Sequence, residues 1–133
     1  HWPSRDEARR HLGAKAFVQR WAPGVLDDFL NAGLRDDPAG GVTLTIPRDT
    51  ERDIYATLAH REALQALRRL RARGVPIGFV AGGRSEEIRL AGREQNRRFW
   101  GADLVDVPQA GHLIPLEAPA ACARAVERLL GRR

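Results

Sequence analysis

Apolar positions in the first third of the chain recur at helical spacing. Ser4 followed by Glu7 has the spacing of a capping box, with Ala8 and Leu12 on one face and a stop near Gly13. A short second helix is predicted over Ala14–Trp21. Pro23 then opens a third, in which Val25, Leu26, Phe29 and Leu30 form an amphipathic stripe before Gly33 ends it. Asp36-Asp37-Pro38-Ala39-Gly40-Gly41 is a turn cluster, and Val42 to Ile46 alternates like a short strand. Residues 49–58 read as a weakly amphipathic helix.

The pattern changes from residue 60. His60 to Arg73 is a strong helix with Leu64, Leu67 and Leu70 on one side and Gly74 as its stop. Pro76 to Ala81 is an apolar run opened by proline, as a buried strand is. A Gly-Gly turn leads to a helix over Glu86–Trp100, and Ala102–Val107 is a second strand. After the loop 108–117, a last helix carries Cys122, Val126, Leu129 and Leu130 on one face. This αβαβα order is the grammar of an α/β fold with a parallel sheet covered on both faces. Such a sheet needs more than two strands. The expectation is therefore that this half is the edge of a larger sheet, whose other strands lie on N-terminal sequence outside these residues.

Composition narrows the class. Of 133 residues, 43% are hydrophobic and 29% charged, the balance of a globular chain rather than a disordered one. No apolar run is long enough for a transmembrane helix, and the chain opens without the basic-then-apolar stretch of a signal peptide. A lone cysteine, Cys122, excludes an internal disulfide framework and fits a reducing, cytoplasmic setting. The absence of methionine points to a processed chain or a piece of a longer one. The net charge is +5, and of 22 basic residues only Lys15 is a lysine. That charge permits nucleic-acid or acidic-partner binding, but acidic residues are interspersed among the arginines, as on a solvated mixed-charge surface.

Among candidate chemical groups His112 is the most informative. It stands in Gln109-Ala110-Gly111-His112-Leu113-Ile114-Pro115-Leu116-Glu117-Ala118-Pro119, directly after a predicted strand and before the closing helix. Ligands and catalytic groups of open α/β folds gather outside the carboxyl ends of the strands. The run ADLVDVPQAGHLIPLEAPAACARAVERLL resembles the C-terminal end of an α/β-hydrolase: final strand, Gly-His loop with the triad histidine, final helix. The preceding GVPIGFVAGG resembles the penultimate strand of that fold. The resemblance implies that residues 1–58 are a helical lid and 59–133 the C-terminal part of the hydrolase core, with His112 as the triad histidine. The family order of serine, then acid, then histidine suits a histidine near the C-terminus.

Two departures bear on the site. The nucleophile elbow Gly-x-Ser-x-Gly is absent. The two serines are Ser4 and Ser85, and Gly83-Arg84-Ser85-Glu86-Glu87 lacks the final glycine. The expectation is that nucleophile and oxyanion hole lie on an N-terminal part of the same hydrolase. The usual acid position carries Arg84, so the triad carboxylate is expected from Glu86, with Glu87 or an upstream acid as alternatives.

Other classes are weaker. Gly78-Phe79-Val80-Ala81-Gly82-Gly83-Arg84-Ser85 has P-loop spacing, but its middle is strand-like and its lysine is missing. Arg68, Arg69, Arg71 and Arg73 would carry an Arg-rich nucleic-acid or acidic-partner module, the alternative function, without aromatic interleaving to support it. His1, His11, His60 and His112 lack metal-ligand spacing, so no metal or cofactor is expected. Trp2, Phe17, Trp21, Phe29 and Tyr55 are expected as lid core, part of it facing a cavity. The reading is an esterase- or lipase-like hydrolase acting on a small hydrophobic substrate. Epoxide, amide and haloalkane hydrolases share the scaffold.

Overall fold

Ser4 begins the first helix as its spacing predicts, its Oγ accepting the Glu7 N–H at 3.2 Å. That helix, α1, runs Arg5–Gly13. The computed structural model describes residues 1–57 and 61–131, Arg61 by its backbone alone. The chain divides into two compact units, His1–Leu70 and Arg71–Arg133. The lid–core boundary expected at 58/59, and the expected helix start at His60, lie outside the described residues.

In the N-terminal unit a short 3-10 turn, Val18–Arg20, stands where a helix over 14–21 was expected. The Trp21 N–H closes onto the Val18 carbonyl at 2.9 Å, and Pro23 has no N–H to carry a helix onward. Helix α2, Val25–Gly33, follows Gly24, whose φ of +86° belongs to glycine. Strand β1, Leu34–Asp36, pairs antiparallel with β2, Val42–Leu44. The sequence pattern misses β1 because its three residues bury only Leu34. Trp2 extends this hairpin by reciprocal backbone bonds to Val42 at 2.9 Å. Ala8, Leu30, Leu34 and Val42 form the core, with Trp2, Leu12, Leu26 and Leu44 packed around it.

The remaining helices of this half are less covered. Helix α3 spans Arg48–Ala56 and α4 spans Arg61–Ala72. Phe17 and Tyr55, expected as lid core, are 44% and 65% exposed, whereas Trp21 stands edge-on to Phe17 and Phe29. On α4, Leu64 and Leu70 remain exposed, so the apolar stripe read from the sequence is not a buried face.

In the C-terminal unit β3, Phe79–Gly82, and β4, Leu104–Val107, run parallel, with Phe79 opposite Leu104 and Gly82 opposite Val107. The helix expected over 86–100 is two helices, α5 over Glu86–Leu90 and α6 over Arg93–Trp100. Gly92 breaks it, with a φ of +88° that does not continue a right-handed helix. Trp100 is buried and stacks on Phe79, their rings 5.3 Å apart and 8° from parallel. Arg71 lies within 5.3 Å of the Phe99 and Trp100 rings and donates to the Phe99 carbonyl and to Asp103.

After β4 come the short helix α7, Ile114–Glu117, and the long α8, Pro119–Leu130. Val105, Val107, Ala110, Ile114 and Ala125 form the second core, with Cys122 and Leu129 against it. A Cβ on Gly78 would stand 2.7 Å from Leu129, so its absence lets α8 close on the chain entering β3. The protein is thus mixed α/β, with one antiparallel and one parallel strand pair among the described residues. None of its described helices is long and apolar enough to cross a membrane.

Leu30 is 2% exposed at the centre of the N-terminal core. Leu30→Ala should destabilise that unit by about 3 kcal/mol, the usual cost of a buried leucine truncation, read as a lower urea midpoint.

Candidate functional site

Parallel pairing puts the carboxyl ends of β3 and β4 on one side, so the segments leaving Gly82 and Val107 meet there. They are joined backbone to backbone. The Gly83 N–H donates to the Val107 carbonyl and the Arg84 N–H to the Ala110 carbonyl, each at 2.9 Å. The Arg84 guanidinium donates to the Gln109 side-chain oxygen. This closeness requires glycine. A Cβ on Gly82 would stand 1.8 Å from the Gly111 carbonyl oxygen, and one on Gly83 2.5 Å from that of Pro108.

Each segment has its own anchor. Arg93, in the first turn of α6, donates to the carbonyls of Gly82, Gly83 and Ser85 at 3.2, 3.0 and 3.4 Å. Its guanidinium lies 3.8 Å from Asp106, which also accepts from Arg97 at 3.0 Å. On the histidine side, the Gly111 N–H donates to the Glu117 carboxylate at 2.7 Å. A Cβ on Gly111 would meet that same carboxylate at 2.7 Å. Gly111, before His112, is therefore held from α7, and Ala110 from the segment that leaves β3.

His112 Nδ1 lies 3.6 Å from Glu87 Oε2, with both side chains about half exposed. That separation is longer than a hydrogen bond, but within ion-pair reach of an imidazolium. Catalytic hydrogen bonds in ligand-free sites are often this long and tighten on binding. Ser85 Oγ donates to the same Glu87 oxygen at 3.1 Å and accepts the Ile88 N–H at 3.2 Å, capping α5. Ser85 is 2% exposed. Its hydroxyl proton goes to the carboxylate rather than to the imidazole, and burial keeps its oxygen from an incoming carbonyl. Ser85 is accordingly a support for Glu87 and lacks the geometry of a nucleophile.

Glu86 and Glu87 have different fates. Glu86 accepts from Arg89 Nε at 2.7 Å, and that hydrogen bond, with the carboxylate charge second, holds the Arg89 guanidinium above its ordinary pKa. The carboxylate beside His112 is Glu87, not Glu86. The cause is helical geometry: successive residues point about 100° apart, so the two acids of the first turn cannot face one loop together.

Of the residues the sequence singled out, the structure brings together Ser85, Glu87 and His112 and leaves Glu86 on the solvent side. Arg93 and Glu117 went unassigned in the sequence. Glu117 lies in the Gly-His-x-x-Pro-x-Glu-x-Pro string, a signal that it shapes the loop, whereas nothing local marks Arg93. The P-loop spacing does not form a cradle, because Phe79–Gly82 are ladder residues of β3. Arg71, one of the four arginines considered for nucleic acid, is committed to Phe99 and Asp103. Among the described residues no three His, Cys, Asp or Glu side chains converge as metal ligands would. No protein-family model, curated protein or solved structure matches the chain.

Two outcomes follow from the glycine contacts and the buried serine. Gly82→Ala should cost the C-terminal unit about 3 kcal/mol or more, since backbone rather than a rotamer must move, read in urea unfolding followed at Trp100. A fluorophosphonate probe should leave Ser85 unmodified in the native chain by mass spectrometry. Labelling there would return Ser85 to the role of nucleophile.

Proposed function

We propose that the chain supplies the helical lid (residues 1–58) and the C-terminal core part (residues 59–133) of a serine-type α/β-hydrolase of the esterase or lipase kind. His112 is its general base. The observation that carries this reading is the placement of Glu87 beside His112 Nδ1, at the carboxyl ends of two parallel strands. A carboxylate on Nδ1 selects the tautomer whose Nε2 is free to accept a proton, and it stabilises the imidazolium that results. Of the two glutamates, Glu87 takes the acid's role.

The rest of the machinery comes from elsewhere in this proposal. Nε2 takes the proton of a serine hydroxyl carried, with the oxyanion hole, by an N-terminal part of the same hydrolase outside these 133 residues. His112 then returns that proton to the leaving alcohol. The substrate class in this proposal is a small hydrophobic ester, as the resemblance to esterases and lipases implies. No observation favours the nucleic-acid alternative.

In the enzyme carrying its nucleophile, His112→Gln should lower p-nitrophenyl ester turnover about a thousandfold or more, the scale of losing one triad member. Glu87→Gln should cause a comparable loss, whereas Glu86→Gln should leave turnover near normal. Residues 1–133 alone should show no turnover. Robust turnover by them, or unaltered activity in Glu87→Gln, would overturn the assignment.

A further inference from the structure

The N-terminal unit contains a cavity of about 340 Å³ between α2, β2 and α3, within the size range of small-ligand pockets. Phe29, Leu44, Ile46 and Ile54 supply its apolar lining. Ile46 and Ile54 are 61% and 53% exposed, a loss that burial by a ligand would recover.

The polar groups of the cavity decide what kind of ligand fits. Thr45 is already spent on the protein: its N–H donates to the Gly33 carbonyl at 2.8 Å and its hydroxyl to the Ala32 carbonyl at 3.3 Å. The one charged residue in the lining is Glu51, which is exposed and whose carboxylate has no partner among the described residues. Arg52, its neighbour on α3, is held by Asp49 and Asp53 instead. An ionised carboxylate accepts hydrogen bonds and donates none. Among the lining side chains none is therefore left to donate to a carboxylate or phosphate head, whereas Glu51 offers a charge-assisted partner to an ammonium. Glu51 stands in the first turn of α3, where the helix end carries roughly half a positive charge, less than the full negative charge of the side chain.

We propose that this cavity is a binding site for a cationic amphiphile, an alkyl or aryl ammonium whose apolar body lies against Phe29, Leu44, Ile46 and Ile54 and whose nitrogen donates to Glu51. The cavity shares no residue with the Glu87–His112 pair. Cation binding there also runs against the general field of the protein, whose net charge of +5 attracts anions. A preference for a cation is thus the signature of a local site.

The test compares octylammonium, octanol and octanoate on the 133-residue chain, by calorimetry and by methyl NMR shifts of Leu44, Ile46 and Ile54. Octylammonium should bind most tightly and octanoate least, with shifts confined to those methyls. Glu51→Gln should weaken octylammonium about fivefold, the scale of a partly exposed ion pair, and leave octanol unchanged. The substitution is at an exposed position, so folding is preserved and can be checked in the same spectra. Octanoate binding as well as octylammonium, an unaltered affinity in Glu51→Gln, or no shift at the three methyls would overturn the proposal.

Discussion

Two backbone hydrogen bonds, Gly83 N–H to Val107 O and Arg84 N–H to Ala110 O, govern the C-terminal half of this protein. They carry the parallel register of β3 and β4 beyond the strands themselves, into the segments that bear Glu87 and His112. Without side chains at Gly82 and Gly83 the two segments meet at main-chain distance, too close for any Cβ. Everything at the site inherits its position from that contact. Arg93 and Glu117 then remove what freedom the loops retain, one from α6 and the other from α7.

The division of labour between neighbouring side chains follows from the same frame. Ser85 is drawn inward because it caps α5, and once buried its hydroxyl has one strong acceptor in reach, Glu87. Glu86, one step round the helix, meets Arg89 in solvent. An exposed pair of that kind contributes little to stability. The Ser85–Glu87 contact matters through placement: it holds one carboxylate oxygen on the side of the helix that faces the histidine loop.

Much of this was legible in the residues, and what was not has physical causes. The Ser4–Glu7 spacing is local chemistry, read directly as a cap. The two apolar runs became the parallel pair because their apolar length leaves little alternative to a buried strand. Strand β1 has no pattern of its own and is recruited by its partner β2. The break at Gly92 is not legible in the sequence, because a glycine within a helical pattern is usually tolerated and the positive φ that makes it a stop belongs to the fold. Choosing between Glu86 and Glu87 required knowing which side of a five-residue helix faces the loop, and adjacent acids carry no such signal.

The break at Gly92 also sets the length of α5. Helix α5 has five residues, too few to hold itself by its own hydrogen bonds, and it persists through the Ser85 cap and the bonds that Arg93 makes to the segment before it. The His112 segment, by contrast, is tied to a strand and to a carboxylate beside the buried core. The two members of the acid–imidazole pair therefore belong to regions of unequal local stability. Were α5 to fray, Glu87 would move with it while the His112 segment, held by the strand and by Glu117, would not.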